Sequence, residues 1–140
     1  MRAEEIENKD GFYATAELEN TLPATAANYG IFFIAIKPCE VLVVKEVHGT
    51  ASSSGTVTVE KLTGTTAKGS GTALTGAIST ASTADTVQDA TLVLTQTNGI
   101  IPTQLNIGDR LAIKSGGTLT SGKDLQITVY IKPLSKGDYR

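Results

Sequence analysis

Short runs of alternating apolar and polar residues recur along the chain and indicate β-structure. The clearest run is 125–131, in which every second residue from Leu125 to Ile131 is apolar and the residues between them are polar or aromatic. Alternation at this period predicts a strand with one buried face and one solvated face. Comparable runs occupy 41–47, 56–62, 90–94 and 110–114. Many of their residues are β-branched, which favours an extended backbone.

The segments between these runs add further strands and no helix. Residues 29–36 are apolar at almost every position, which predicts a strand buried from both sides. The 24 residues from 63 to 86 are mostly Gly, Ser, Thr and Ala, with Leu74 and Ile78 as large apolar anchors. Such a stretch is too long for a structureless loop, so we expect a short irregular strand near 73–78.

Seven or eight strands without a helix predict a single β-sandwich, of jelly-roll-like form, over residues 28–140. In 41–47 we expect Val41, Val43 and Val47 on one face, with Leu42 and Val44 on the other. Strand 87–95 is expected to turn its apolar side chains inward. These are Ala90, Leu92 and Leu94.

Residues 1–27 differ from the rest and are predicted to be an N-terminal arm. The first 20 residues are rich in charge and lack a continuous apolar stripe, and Pro23 biases its neighbour away from helix. Two interpretations remain open, a frayed terminus or an arm that orders on a partner. The side chains available for docking would be Phe12, Tyr13, Leu18 and Leu22.

Composition narrows the classes of function. The 12 basic and 14 acidic residues leave a net charge of −2, so no basic footprint for nucleic acid or an anionic membrane is present. The longest apolar run is far shorter than the roughly 20 residues that cross a bilayer. The N-terminus lacks the apolar core of a signal peptide, which predicts synthesis in a reducing cytoplasm.

The side chains that carry chemistry are few. The single cysteine, Cys39, cannot form an intrachain disulfide and is interpreted as a small buried hydrophobe. The single histidine, His48, is interpreted as structural, although Glu40 and Glu46 share its expected strand face. The acidic residues show no calcium-loop spacing and no paired arrangement. We therefore expect neither an enzyme nor a metal or cofactor site.

Several segments, taken in order, resemble head-decoration or head-fibre-type domains of tailed bacteriophages. The segments that carry the resemblance are 46–51, 55–63, 69–74, 85–88, 105–113 and 127–133. The resemblance spans about residues 28–134. It implies a jelly-roll-like domain that is often trimeric. The Leu-x-x-Gly-Asp-Arg-Leu-x-Ile element at 105–113 is also similar to trimeric jelly rolls of the complement-C1q and tumour-necrosis-factor kind, without their collagen-like repeat or aromatic-rich core.

The resulting hypothesis is a capsid decoration protein on the exterior of a phage head, with the major capsid protein and its own copies as partners. Apolar residues on both faces of their strands suggest a subunit interface, and the resemblance implies a homotrimer. The expected interface residues are Phe32, Ile34, Leu42 and Val44. The principal alternative is a host- or glycan-binding adhesin module, which a shallow aromatic-lined site would support. A small sandwich hydrolase is a weaker alternative.

Overall fold

The computed structural model describes residues 11–22 and 30–134. The parts of the expected arm at 1–10 and 23–27 lie outside the described residues. Within the described ranges, all regular structure is strand, and every strand pair is antiparallel. The strands are β1 (Phe12–Thr21), β2 (Ile31–Ile34), β3 (Cys39–Thr50), β4 (Thr56–Leu62), β5 (Thr72–Ala73), β6 (Ile78–Ser79), β7 (Gln88–Asp89), β8 (Gln104–Leu105), β9 (Arg110–Gly116) and β10 (Lys123–Pro133).

The strands form two sheets with jelly-roll order. The first sheet runs β1-β10-β3-β7, with β8 also paired to β3, and the second runs β2-β9-β4-β5, with β6 also paired to β4. When β5 and β6 are counted as one interrupted strand, and β7 and β8 as another, each sheet has four strands, as in a jelly roll. The predicted all-β sandwich of jelly-roll-like form is therefore confirmed.

The core lies between the two sheets and is aliphatic. The inward residues of β10 are at most 2% exposed, from Leu125 to Ile131, which confirms the alternation predicted for 125–131. Leu74 and Ile78 are buried as the expected anchors of the Gly/Ser/Thr-rich stretch. The facing strands contribute a further buried set, which includes Val41, Val44, Val57, Val59, Leu111 and Ile113.

A β-bulge in β3 changes which residues face the core. The register between β3 and β10 shifts between Tyr130 and Ile131, where Val43 and Val41 are the partners and Leu42 is the extra residue. One residue inserted into one strand of a pair kinks the strand and locally raises its twist. Leu42 and Val43 consequently both point outward, each 39% exposed.

The bulge corrects two sequence-based predictions for β3. Strict alternation placed Val43 with Val41 and placed Val44 on the opposite face as an interface residue. In the structure Val41 and Val44 are both 1% exposed and belong to the core. Beyond the bulge, Glu46 and His48 also point inward. Val44 therefore packs inside the sandwich and cannot contact another subunit.

The described part of the expected arm belongs to the sandwich. β1 pairs with β10 along most of its length and forms an edge of the first sheet. Ala14, Ala16 and Leu18 face the core while charged residues face solvent. The sequence did not reveal the apolar-polar alternation of β1, because two of its three inward side chains are alanines, which give little hydrophobic signal.

Two other strands are shorter and more exposed than their sequence suggested. β2 covers only four residues at the edge of the second sheet, and Ile31 and Ile34 are exposed, so this strand is not buried from both sides. The strand expected at 87–95 is reduced to β7, and Leu94 is 60% exposed. An isolated bridge between Thr75 and Leu92 holds the segment that follows β7.

Candidate functional site

Side chains on the outer face of the first sheet are arranged in rows that cross β1, β10 and β3. In one row Tyr13 pairs with Tyr130, which pairs with Val43. Because successive outward residues on a strand are two positions apart, neighbouring rows are roughly 7 Å apart. The next row along the strands is polar. It consists of Thr15, Thr128, Lys45 and Asp89.

The two rows enclose a shallow groove of about 290 Å³, here called the tyrosine groove. Its lining residues are Tyr13, Val43, Lys45, Thr128 and Tyr130. The two tyrosine rings are 5.1 Å apart, centre to centre, and tilted by 52°. The Tyr13 side chain is 72% exposed, so an aromatic surface is open to solvent.

The polar side of the tyrosine groove carries a matched pair of charges. Lys45 Nζ lies 2.7 Å from Asp89 Oδ1, and both side chains are exposed. Thr128 Oγ1 accepts a hydrogen bond from Gln126 Nε2 at 3.0 Å. An aromatic surface therefore lies next to hydrogen-bonding groups with no net charge.

The backbone holds one of the two rings in place. The Gly11 N–H donates a hydrogen bond to the Tyr130 hydroxyl at 3.1 Å. A β-carbon at position 11 would overlap the Tyr130 ring, so glycine permits this approach. The sequence did not reveal the groove, because Tyr13 was placed in the arm and Tyr130 in the body. The register of β1 against β10 is the signal that brings them together.

A second candidate surface lies where the edge strands β1 and β2 meet, and we call it the β1/β2 side. Phe12 of β1 and Phe33 of β2 are 5.8 Å apart between ring centres. Beside them, Ile34 is 59% exposed and Ile36 is 84% exposed. A cavity of about 170 Å³ opens among these residues and Cys39. Among the residues that the structure describes, apolar side chains are thus exposed along two strand edges that pair with no further strand.

The structure separates the four residues expected to dock on a partner. Leu22 is 5% exposed and belongs to the core, and Leu18 is half-buried and packs against the core. Phe12 and Tyr13 are 40% and 72% exposed, on the β1/β2 side and in the tyrosine groove respectively. A docking role for these two remains a prediction.

The four residues expected at a subunit interface are likewise divided. Ile34 and Leu42 are exposed, on the β1/β2 side and beside the bulge. Phe32 is half-buried and packs against the core. Val44 belongs to the core, as described above. The exposed apolar residues that sequence reasoning did not select include Ile36, because nothing in a single sequence distinguishes its side chain from a core residue.

A buried polar network lies inside the sandwich at the far end of β3. His48 Nδ1 lies 2.7 Å from Glu46 Oε2, and His48 Nε2 lies 2.9 Å from the Ser82 carbonyl oxygen. Gln88 Nε2 donates to Glu46 Oε1 at 2.7 Å and to the Ser79 carbonyl oxygen. Both partners of the imidazole are acceptors, so the network is fully satisfied when both ring nitrogens carry protons.

The charge state of His48 follows from these contacts. Desolvation by burial lowers its pKa, but the Ser82 carbonyl and the Glu46 carboxylate raise it more, and Asp85 adds to the increase, so the net pKa is above 6.5. The network fastens the segment containing Ser82 to β3. The sequence-based interpretation of His48 as structural is consistent with this position, and both Glu46 and His48 are buried.

Other buried polar side chains stabilise loops. The Glu60 carboxylate accepts hydrogen bonds from the N–H groups of Gly69 and Gly71, which holds the loop before β5. Lys61 Nζ donates to the Gln104 carbonyl oxygen at 3.0 Å. Burial lowers the pKa of Lys61, with a smaller opposing effect from Asp109.

Cys39 is buried, as its sequence context suggested. Burial raises the pKa of its thiol to about 11, and the negative charge of Asp109 contributes. Within the residues that the structure describes, no three His, Cys, Asp or Glu side chains gather closely enough to hold a metal ion. Over the same ranges, no helix is long and apolar enough to cross a bilayer.

Comparisons with known proteins add no relative. No family model matches the chain, and neither the curated proteins nor the solved structures contain a match.

Proposed function

We propose that the protein is an auxiliary component of a tailed-phage head, which self-associates and binds the outer surface of the capsid. The observation that carries the proposal is the β1/β2 side. Unpaired strand edges with exposed apolar side chains readily pair with other chains, and soluble proteins usually cover or charge them. Most described residues of this side are instead aromatic or aliphatic, from Phe12 to Ile36, and Lys37 is the one charged residue lining its cavity.

The proposed occupant of the β1/β2 side is another copy of the chain. Identical subunits bury such a surface most simply in a closed cyclic assembly. Ile34 and Ile36 would then meet residues of a neighbouring subunit, while Phe12 and Phe33 would form the floor of the contact. The resemblance to trimeric head proteins selects three as the number of subunits.

The virion setting is supported by the sequence segments that resemble head-decoration domains. A protein that binds the assembled shell but not free capsid subunits stabilises the shell by mass action. Such a function requires surfaces rather than catalytic groups. Of the proposed capsid-docking residues, Tyr13 is 72% exposed and lies outside the proposed subunit contact.

Sedimentation velocity at micromolar concentration tests the self-association. We expect a species near three times 14.6 kDa for the unmodified protein. Ile36→Glu should convert it to a folded monomer, because the side chain is 84% exposed in the single chain but would become buried in the assembly. Val87→Glu is the matched control, since Val87 is 61% exposed and lies beside β7, at the opposite edge of the first sheet from β1.

A monomer of the unmodified protein at this concentration would refute the proposed interface. Capsid binding is tested separately by co-sedimentation with undecorated heads of the phage that encodes the chain. We expect saturation at a fixed number of copies per head and a higher temperature of head disruption. Absence of the protein from the head fraction would refute the capsid role.

A second candidate function is an adhesin module that binds a receptor on the host surface. The tyrosine groove favours it, because a shallow aromatic-lined site was the feature that would distinguish an adhesin from a purely structural protein. Attachment of the labelled protein to host cells, compared with cells that the phage does not infect, tests this function. Equal attachment to both kinds of cell would contradict it.

A further inference from the structure

We infer that the tyrosine groove binds a neutral saccharide, with one sugar ring stacked on Tyr13 and its edge against Tyr130. The inference deepens the adhesin function proposed above and rests on it. It assigns a ligand class to a site that combines an exposed aromatic surface with polar groups one row away.

The two rows of the tyrosine groove, one aromatic and one polar, match the two kinds of surface on a sugar. A pyranose ring has C–H groups on its faces and hydroxyl groups around its rim. An aromatic ring offers a matching apolar face with a negative quadrupole, which attracts C–H groups. Stacked on Tyr13 and bordered by Tyr130, the sugar would direct its rim toward Lys45 and Thr128 in the next row, roughly 7 Å along the strands.

The charges in the polar row also favour a neutral ligand. Lys45 and Asp89 form an exposed ion pair at 2.7 Å, so the polar row presents donors and acceptors without net charge. Exposed pairs of this kind contribute little to stability, and a hydroxyl group can therefore insert between them at small cost. A saccharide carboxylate would have to displace Asp89 from Lys45, so a charged sugar gains no net attraction over a neutral one.

The size and rigidity of the tyrosine groove also suit a saccharide. The volume of about 290 Å³ is at the lower end for small-molecule sites and suits one or two sugar rings. The floor consists of three hydrogen-bonded strands, and Tyr130 is held against Gly11. A site that is formed before binding loses little entropy when the ligand arrives.

The test uses chemical-shift mapping on the full chain by NMR. The probes are the methyl glycosides of glucose, galactose, mannose and N-acetylglucosamine, with N-acetylneuraminic acid as the charged comparison. We expect at least one neutral probe to shift the amide signals of residues 13, 43–45 and 128–130 and to saturate. The charged sugar should bind more weakly than that probe.

Three variants separate the groove from a nonspecific surface. Tyr13→Ala should weaken binding by about tenfold, since it removes one stacking ring. Tyr13→Phe should retain binding, because the ring is kept. Glu17→Ala, an outward residue of the same strand, is the matched control and should have no effect. Tyr13 is highly exposed, so the variants should fold.

Several results would overturn the inference. The inference would be wrong if no neutral probe, at roughly 50 mM, produced chemical-shift changes that saturate. It would also be wrong if Tyr13→Ala left binding unchanged, or if N-acetylneuraminic acid bound more tightly than every neutral probe. Loss of self-association in Tyr13→Ala would show that another protein chain covers the groove.

The outcome for the saccharide is distinguishable from the outcome for the adhesin function. Host-cell attachment without binding of any glycoside would leave an adhesin with a different ligand and refute the saccharide. Glycoside binding in the groove without host-cell attachment would retain the saccharide site and refute the adhesin function.

Discussion

Removing the Glu46 carboxylate should destabilise the sandwich strongly at acidic pH and less at alkaline pH. In Glu46→Ala, His48 loses its charged partner and Gln88 loses a hydrogen-bond acceptor, each 2.7 Å from a Glu46 carboxylate oxygen. Glu46 and His48 are both at most 1% exposed. Hydrogen bonds to charged groups contribute about 1.5–3 kcal/mol each. Two of them give about 3–6 kcal/mol, which agrees with the 3–5 kcal/mol typical of breaking a buried ion pair.

The pH dependence has a definite sign. The folded pKa of His48 is raised above 6.5, so protonated His48 stabilises the fold fully below pH 6.5. That contribution is lost as the pH rises through the folded pKa. Above it, neutral His48 can still donate from Nε2 to the Ser82 carbonyl oxygen. The cost of Glu46→Ala should therefore be about 4 kcal/mol at pH 5.5 and should fall toward about 2 kcal/mol as the pH rises through the folded pKa of His48.

Urea unfolding at pH 5.5, 7 and 9, followed by circular dichroism, measures this difference. A loss of 4 kcal/mol would lower the melting temperature by roughly 15 °C in a domain of this size. The chain has one histidine, so a single imidazole signal in proton NMR reports the pKa of His48 directly. Glu17→Ala, which removes an exposed carboxylate, is the control.

Two results would refute this reasoning. One is a loss below about 1 kcal/mol for Glu46→Ala at pH 5.5, which would show that the network contributes little. The other is a His48 titration at or below its ordinary pKa of 6.5, since the Glu46 carboxylate and the Ser82 carbonyl would then give the imidazolium no net stabilisation.

Two further predictions test the packing. Ile127→Asp should unfold the sandwich, because an unpaired charge would be buried at a position that is fully inaccessible, whereas Thr128→Asp on the outer face should be mild; equal behaviour in thermal melts would show that the facing of β10 is wrong. Cys39 should react with a thiol-specific reagent at pH 8 at least 100-fold more slowly in the folded than in the urea-unfolded protein, because burial and a pKa of about 11 suppress the thiolate; similar rates would indicate that the cavity beside it admits solvent.

The sequence predicted the architecture where hydrophobic contrast was strong. In β10 the inward residues are large and aliphatic, and the outward ones are not, so the facing of Ile127 and Val129 could be predicted correctly. In β1 the same period is carried by Ala14 and Ala16, which are too small to stand out among charged neighbours. The sequence pattern therefore indicates an arm where the structure has strand β1.

The sequence could not predict features that depend on register. A bulge is a relation between two strands, so the outward turn of Val43 and the burial of Val44 were not visible in β3 alone. The tyrosine groove has the same origin, because Tyr13 and Tyr130 meet only through the pairing of β1 with β10. Burial of Glu46 and His48 also depended on the bulge, which shifts the inward phase of the strand.

Because of the bulge at Leu42, the curvature of the first sheet can change without a rearrangement of the core. If Leu42 were deleted, Val41 and Val43 would become consecutive partners of Ile131 and Tyr130, and every other residue of β3 would keep its present side. A deletion within a strand normally turns half of that strand inside out. Here it would only straighten the ladder beneath the two tyrosine rings. A single codon could thus reshape the outer surface during evolution and leave the interior unchanged.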